Sequence, residues 1–190
     1  MSDGTVAPLR DIKELLEDAE IPYMIVGSFA SMVHGEPRTT LDLDIVIDPL
    51  PAALDRFLAR IDMETFYVDP DVARDALRRR AMFNVIDMRS AWKIDLVVRK
   101  NRPFSREELA RRAAREILGV VVPTASAEDT VIAKLEWAKQ GASERQIRDV
   151  AGILRVRGEG IDRVYISRWV EELGLEEQWK HALSLERGTR

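Results

Sequence analysis

The sequence contains no cysteine. Disulfide scaffolds, thiolate metal centres and cysteine nucleophiles are therefore excluded. No apolar run approaches the about 20 residues that a membrane helix needs. The first residues, Met1-Ser2-Asp3-Gly4-Thr5, lack the charged and apolar regions of a signal peptide. A cytoplasmic chain with no membrane partner is the expectation. Positive charge is also short: 29 Lys and Arg stand against 33 Asp and Glu, a net charge of −4. A general nucleic-acid coat protein is normally basic, because it must neutralise phosphates, so any nucleic-acid contact should be local. There is no internal repeat and no low-complexity segment.

What is present is an ordinary globular composition, 46% hydrophobic and 33% charged over 190 residues. At roughly 150 residues per domain, that length suggests one domain, or one with a helical appendage. Leu9, Ile12, Leu15, Leu16 and Ala19 recur at helical spacing, with Pro8 near the start of the helix and Pro22 ending it. Tyr23 to Val26 reads as a buried strand, punctuated by Gly27-Ser28, and Phe29 to His34 as a helix stopped by Gly35. Leu41 to Ile47 reads as a strand, and Ala52 to Ile61 as a helix after the Pro49 and Pro51 turn. Thr65 to Val68, Met82 to Ile86 and Lys93 to Val98 read as strands, with Asp71 to Arg80 helical between the first two. Ser105 to Ala114 reads as a helix and Ile117 to Val122 as a last strand. Beyond Pro123 the periodicity becomes wholly helical: 126–139, 144–156, 162–172 and 175–185. Ser143 with Gln146 has the spacing of a capping box. The expected organisation is thus a mixed α/β (α+β) unit over 1–122 and a helical subdomain over 123–190.

The chemistry concentrates in Leu41-Asp42-Leu43-Asp44-Ile45-Val46-Ile47. Side chains two apart on a strand share a face, so the Asp42 and Asp44 carboxylates can converge on a hard divalent cation. Asp is disfavoured in strands, and two at this register call for an explanation. A third acid, Asp95, lies inside the apolar strand Lys93 to Val98. If that strand pairs beside the first, the three carboxylates form a phosphoryl-transfer site. Gly27-Ser28, at a strand-to-helix turn, offers backbone N–H groups to a phosphate. Asp42 follows Ser28 by 14 residues, and Asp95 follows Asp44 by 51.

A Gly-Ser turn, then Asp-x-Asp, then a single later Asp on a strand resembles the nucleotidyltransferases of the DNA polymerase beta superfamily. The segment His34-Gly35-Glu36-Pro37-Arg38-Thr39-Thr40 resembles the bacterial AbiEii-like group most closely, several of which are toxins of toxin–antitoxin or phage-defence pairs. Glu128-Asp129 with Lys134, and Arg148-Asp149, resemble that group's Lys and Asp motifs. The likeness runs over roughly 23–154, with one departure: many relatives have Gly-Gly where this chain has Gly27-Ser28. It implies a nucleotidyltransferase fold, a mixed sheet flanked by helices and followed by a C-terminal helical subdomain. It also implies transfer of a nucleoside monophosphate from a nucleoside triphosphate to a hydroxyl, with Mg2+ or Mn2+ as cofactor. Asp42, Asp44 and Asp95 would bind metal, and Asp95 would also help deprotonate the acceptor. Gly27 and Ser28 would hold the triphosphate. Lys134 would contact nucleotide phosphates, and Asp149 would orient Lys134 or contact substrate. The implied partners are a nucleoside triphosphate, a protein or tRNA-end or small-molecule acceptor, and a cognate antitoxin.

Each assignment has a plainer counterpart. Asp42 and Asp44 alone fit the solvated face of a half-buried strand. Asp95 could pair with Lys93 or Arg99. Arg38 could bind phosphate or pair with Glu36. Arg78-Arg79-Arg80 suits a solvated helix end. His34 reads as a helix-end packing residue before a proton carrier, and Lys134 competes with a surface lysine. Trp137, Trp169 and Trp179 read as helix-packing anchors. At the level of function, a non-catalytic binding or antitoxin module and a metal-dependent nuclease remain beside the transferase.

Overall fold

The structure is a computed structural model describing residues 3–37, 40, 42–141 and 143–188. Arg38, a candidate phosphate ligand, lies outside the described residues. The chain divides into two compact units, Met1–Phe29 with Thr40–Thr124, and Ala30–Thr39 with Ala125–Arg190.

The first unit is built on a seven-stranded mixed sheet. Its strands are β1 (Tyr23–Ile25), β2 (Asp42–Ile47), β3 (Phe66–Tyr67), β4 (Met82–Asp87), β5 (Lys93–Val98), β6 (Ala113–Ile117) and β7 (Val120–Thr124). The order is β3-β4-β5-β2-β1-β7-β6. β2 runs parallel to β5 and antiparallel to β1, and β1 meets β7 in parallel. The helices are α1 (Asp3–Asp18), α3 (Pro51–Arg60), α4 (Pro70–Arg79) and α5 (Pro103–Ala110), and α2 (Gly27–His34) leaves the sheet after β1.

Alternation explains the two central strands. Leu43, Ile45 and Ile47 pair with Ile94, Leu96 and Val98, and all six are fully buried. Phe83 and Val85 of β4 continue that apolar face. At about 25 cal/mol per Å² of apolar area, each such side chain contributes about 1.5–3 kcal/mol, so this face fixes the register. The opposite face carries Asp42, Asp44 and Val46 on β2, Lys93, Asp95 and Val97 on β5, and Met82, Asn84 and Ile86 on β4. Helix α1 buries Leu9, Ile12 and Leu16 and touches α3 and β7, while α3 touches α4 and α4 touches β4.

The buried Asp87 anchors the β4–β5 turn. Its carboxylate accepts from Arg89 Nη2 at 2.6 Å and from the backbone N–H groups of Arg89 and Ser90. Burial pushes its pKa up, but the Arg89 guanidinium and those N–H groups outweigh burial and hold it below the usual carboxylate range.

Three expectations need correction. Pro8 lies inside α1, which starts at Asp3 rather than beside the proline. The helix predicted to Ala114 ends at Ala110, and 113–124 form a hairpin of two strands instead of one last strand. Leu118 and Gly119 turn that hairpin with φ of 53° and 80°, the both-positive backbone of a two-residue hairpin turn. The Ser143–Gln146 capping box is not made: Ser143 gives no side-chain cap, and Gln146 Oε1 accepts from Lys134 instead.

The second unit contains α6 (Ala127–Gly141), α7 (Glu144–Arg157), a 3-10 turn (Gly158–Gly160), α8 (Arg163–Leu173) and α9 (Glu176–Arg187). Helix α6 begins with a reciprocal cap: the Ser126 hydroxyl donates to Asp129 at 2.6 Å and accepts the Asp129 N–H at 3.1 Å. His34 is buried here. Arginine can only donate, so Arg157 Nη2 donates to His34 Nδ1, and Nε2 then donates to the Ala125 carbonyl at 2.7 Å. That is the packing role, with both ring nitrogens used. Trp169 is buried as expected of a packing anchor, whereas Trp137 is 58% exposed. Among the described residues no helix is long and apolar enough to cross a membrane.

Candidate active site

Parallel pairing of β2 with β5 places Asp44 directly beside Asp95, and Asp42 beside Lys93. All four side chains belong to the polar face of the sheet. Asp42 is exposed, Asp44 half-buried and Asp95 only 8% exposed. Directly opposed like charges destabilise a sheet, and the local contacts answer that cost. The Lys93 ammonium lies 3.0 Å from the Asp95 carboxylate. From β4, the register partner Asn84 donates its amide to Asp95 Oδ1. Arg99, the other partner considered for Asp95, pairs with Asp48 at 2.8 Å.

Gly27 and Ser28 form the first turn of α2, the end that carries the helix's positive partial charge. The turn is tied to β2 by the Val26 N–H donating to the Asp44 carbonyl at 2.9 Å. Gly27 has φ of +62°, and its missing side chain is where the Asp44 carboxylate lies. An anion-favouring helix end and an acidic sheet face thus meet at Asp44.

The donor chemistry suits a hard divalent cation: three carboxylates and an amide, all oxygen, on one sheet face. In this conformation Asp95 is turned onto Lys93 and Asn84, and among the described residues no three acidic or imidazole side chains are already gathered as a cage. Cation binding therefore requires side-chain rotation on a fixed backbone. Asn84 is the site residue that the sequence reading missed. Its signal was an amide in the middle of Met82-Phe83-Asn84-Val85-Ile86, where strand propensity disfavours it.

Lys134 and Asp149 belong to the helical unit. Lys134 is 3% exposed, so the surface-lysine reading fails. Its ammonium donates to Asp149 Oδ2 at 2.7 Å and to Gln146 Oε1 at 2.9 Å, using two of three donors. Asp149 also borders a cavity of about 330 Å³ with Ser31, Glu36, Arg148, Gly152 and Arg155.

No family model matches the sequence, and no curated protein matches it. Solved structures do. The antibiotic-resistance factor ANT(2'')-Ia in solution superposes with a TM-score of 0.59 at 14% identity, over 95% of this chain and 99% of that one. An antigenic nucleotidyltransferase-like protein from Paracoccidioides brasiliensis gives 0.56 at 17% identity, over 95% and 94%. The lincosamide antibiotic adenylyltransferase LnuA, with lincomycin bound, gives 0.52 at 11% identity, over 80% and 96%. The chain has the nucleotidyltransferase fold.

Proposed function

We propose that the protein is a metal-dependent nucleotidyltransferase that moves a nucleoside monophosphate from a nucleoside triphosphate to a hydroxyl. The observation that carries this reading is the register of Asp44 against Asp95, with Asp42 on the same face and Gly27 closed against Asp44. Asp42, Asp44 and Asp95 hold the cation, and the all-oxygen donor set favours Mg2+ or Mn2+. The cation, when bound, neutralises phosphate charge and acidifies the acceptor hydroxyl. Gly27 and Ser28 present the α2 N-terminus to the triphosphate. Asp95 takes the proton of the acceptor hydroxyl, whose oxygen bonds to the α-phosphorus as the bond to the β-phosphate breaks and pyrophosphate leaves. Asp149 orients Lys134, whose third donor is the one for a phosphate oxygen.

For the acceptor, two of the solved neighbours are an antibiotic-resistance factor and an adenylyltransferase with lincomycin bound, which supports a small-molecule hydroxyl. An AbiEii-like toxin role, with a protein or tRNA-end acceptor and an antitoxin partner, rests on the sequence resemblance. A cytoplasmic location accords with the absence of a membrane-spanning helix among the described residues.

The test is label transfer. Purified protein is incubated with each of the four nucleoside triphosphates labelled at the α-phosphate, with Mg2+ or Mn2+. Aminoglycosides, lincosamides, total tRNA and bacterial lysate are offered as acceptors. Transferred label that disappears in an Asp42→Asn, Asp44→Asn double variant is the expected result. No transfer together with no metal-dependent nucleotide binding would leave a non-catalytic binding module. Cut strands without pyrophosphate would mean a nuclease.

A further inference from the structure

Among the described residues, the acidic face carries a cation of the chain's own, Lys93. Lys93 is the register partner of Asp42 and lies two residues before Asp95, so it shares their face. Its ammonium is 3.0 Å from the Asp95 carboxylate. The two ends differ in exposure: the Asp95 side chain is 11% exposed and that of Lys93 47%. The acid is fixed from its other side by Asn84, whereas the ammonium sits at the water boundary and can leave without desolvation cost.

This arrangement has two electrostatic consequences. The ammonium offsets the repulsion between Asp44 and Asp95, which directly oppose each other. It also occupies the carboxylate that a divalent cation would need, and adds a like charge beside that cation's position. We propose that Lys93 is a positioning residue: it holds Asp95 as a resident counter-ion and is displaced when a divalent cation loads, so that it sets the affinity of the site. The proposal rests on the reading of the three acids as cation ligands. It concerns Lys93 itself, which that reading does not use.

The experiment titrates Mn2+ into the full chain, following free Mn2+ by electron paramagnetic resonance, for wild type, Lys93→Gln and Lys93→Arg. Thermal melting of the same proteins is recorded in EDTA and in saturating Mn2+. Lys93→Gln is expected to bind Mn2+ about tenfold more tightly. It should melt lower than wild type in EDTA and recover that difference in Mn2+. Lys93→Arg, which keeps the charge, should stay near wild type. If Lys93→Gln does not fold, Lys93→Met, which keeps the stem, takes its place. Equal or weaker Mn2+ binding by the neutral variant, with wild type binding normally, overturns the role of Lys93 alone. Mn2+ binding that survives in the Asp42→Asn, Asp44→Asn double variant, or is absent from every protein, overturns the cation reading of the acids and this proposal with it.

Discussion

Gly27 and Asp44 make a contact that only glycine permits. A Cβ at position 27 would lie 2.6 Å from Asp44 Cγ, and the backbone there has φ of +62°. Both the clash and the left-handed conformation penalise any side chain. Gly27→Ala is expected to lose about 2 kcal/mol or more in stability and to weaken nucleotide binding, because the Asp44 carboxylate must turn away. Denaturant unfolding and nucleotide titration measure the two effects. Wild-type stability in this variant would mean that Asp44 moves at no cost and that the close approach positions nothing.

Asp95→Asn separates the chemistry of the proposed site from its architecture. The amide oxygen can still accept from Asn84, so the fold should hold and the melting temperature should move little. Loss of the carboxylate proposed both to hold the cation and to take the acceptor proton should lower kcat by about 10²–10⁴-fold. Initial rates, measured with whichever acceptor takes label, decide it. Turnover close to wild type would remove Asp95 from the chemistry.

The acids were legible in the sequence because Asp in an apolar strand conflicts with strand propensity, and alternation fixed which face they share. Their clamp was legible only in part: the pairing with Lys93, two residues away on the same strand, was among the expectations, whereas Asn84 reaches Asp95 from β4 through cross-strand register, which no single strand encodes. Strand β6 was misread for a related reason. Ala113-Ala114-Arg115-Glu116-Ile117 is made largely of helix formers, and pairing with β7 through the Leu118-Gly119 turn overrides that preference. The burial of Lys134 was equally invisible, since an amphipathic helix shows its apolar stripe but not what the next helix brings to its flank.

The Lys134–Asp149 pair should behave as a buried ion pair. The two side chains are 4% and 14% exposed and 2.7 Å apart. Lys134→Met or Asp149→Leu alone breaks the buried pair, and each is expected to cost about 3 kcal/mol. The double variant should cost less than the sum of the two, because the pair interaction is lost only once. A double-mutant cycle by denaturant unfolding gives the coupling. Additive losses would show that the two groups act independently, and would weaken the assignment of Asp149 as the residue that orients Lys134.

Asp87 provides a pH test that is independent of the acidic face. Its side chain is fully buried and paired with Arg89, and its carboxyl is held below the usual range in the folded protein. A carboxyl depressed by folding contributes stability that is fully present above its unfolded value, near about 4. That contribution is lost as pH falls through the folded value, because the folded state must then take up a proton at the expense of the Arg89 contacts. Asp87→Asn removes the charge and weakens the contact with Arg89, whose half-exposed guanidinium keeps Asp11 at 2.7 Å, so at pH 7 it should cost about 1–2 kcal/mol. Comparing wild type with the variant separates Asp87 from every other titrating carboxylate. The gap in melting temperature should be widest above about pH 5 and narrow steadily below pH 4. A gap that stays constant from neutral to acid pH would show that the Asp87 charge carries none of the stability of the β4–β5 turn. The turn would then depend on hydrogen-bond geometry that the amide reproduces less well than the carboxylate at every pH.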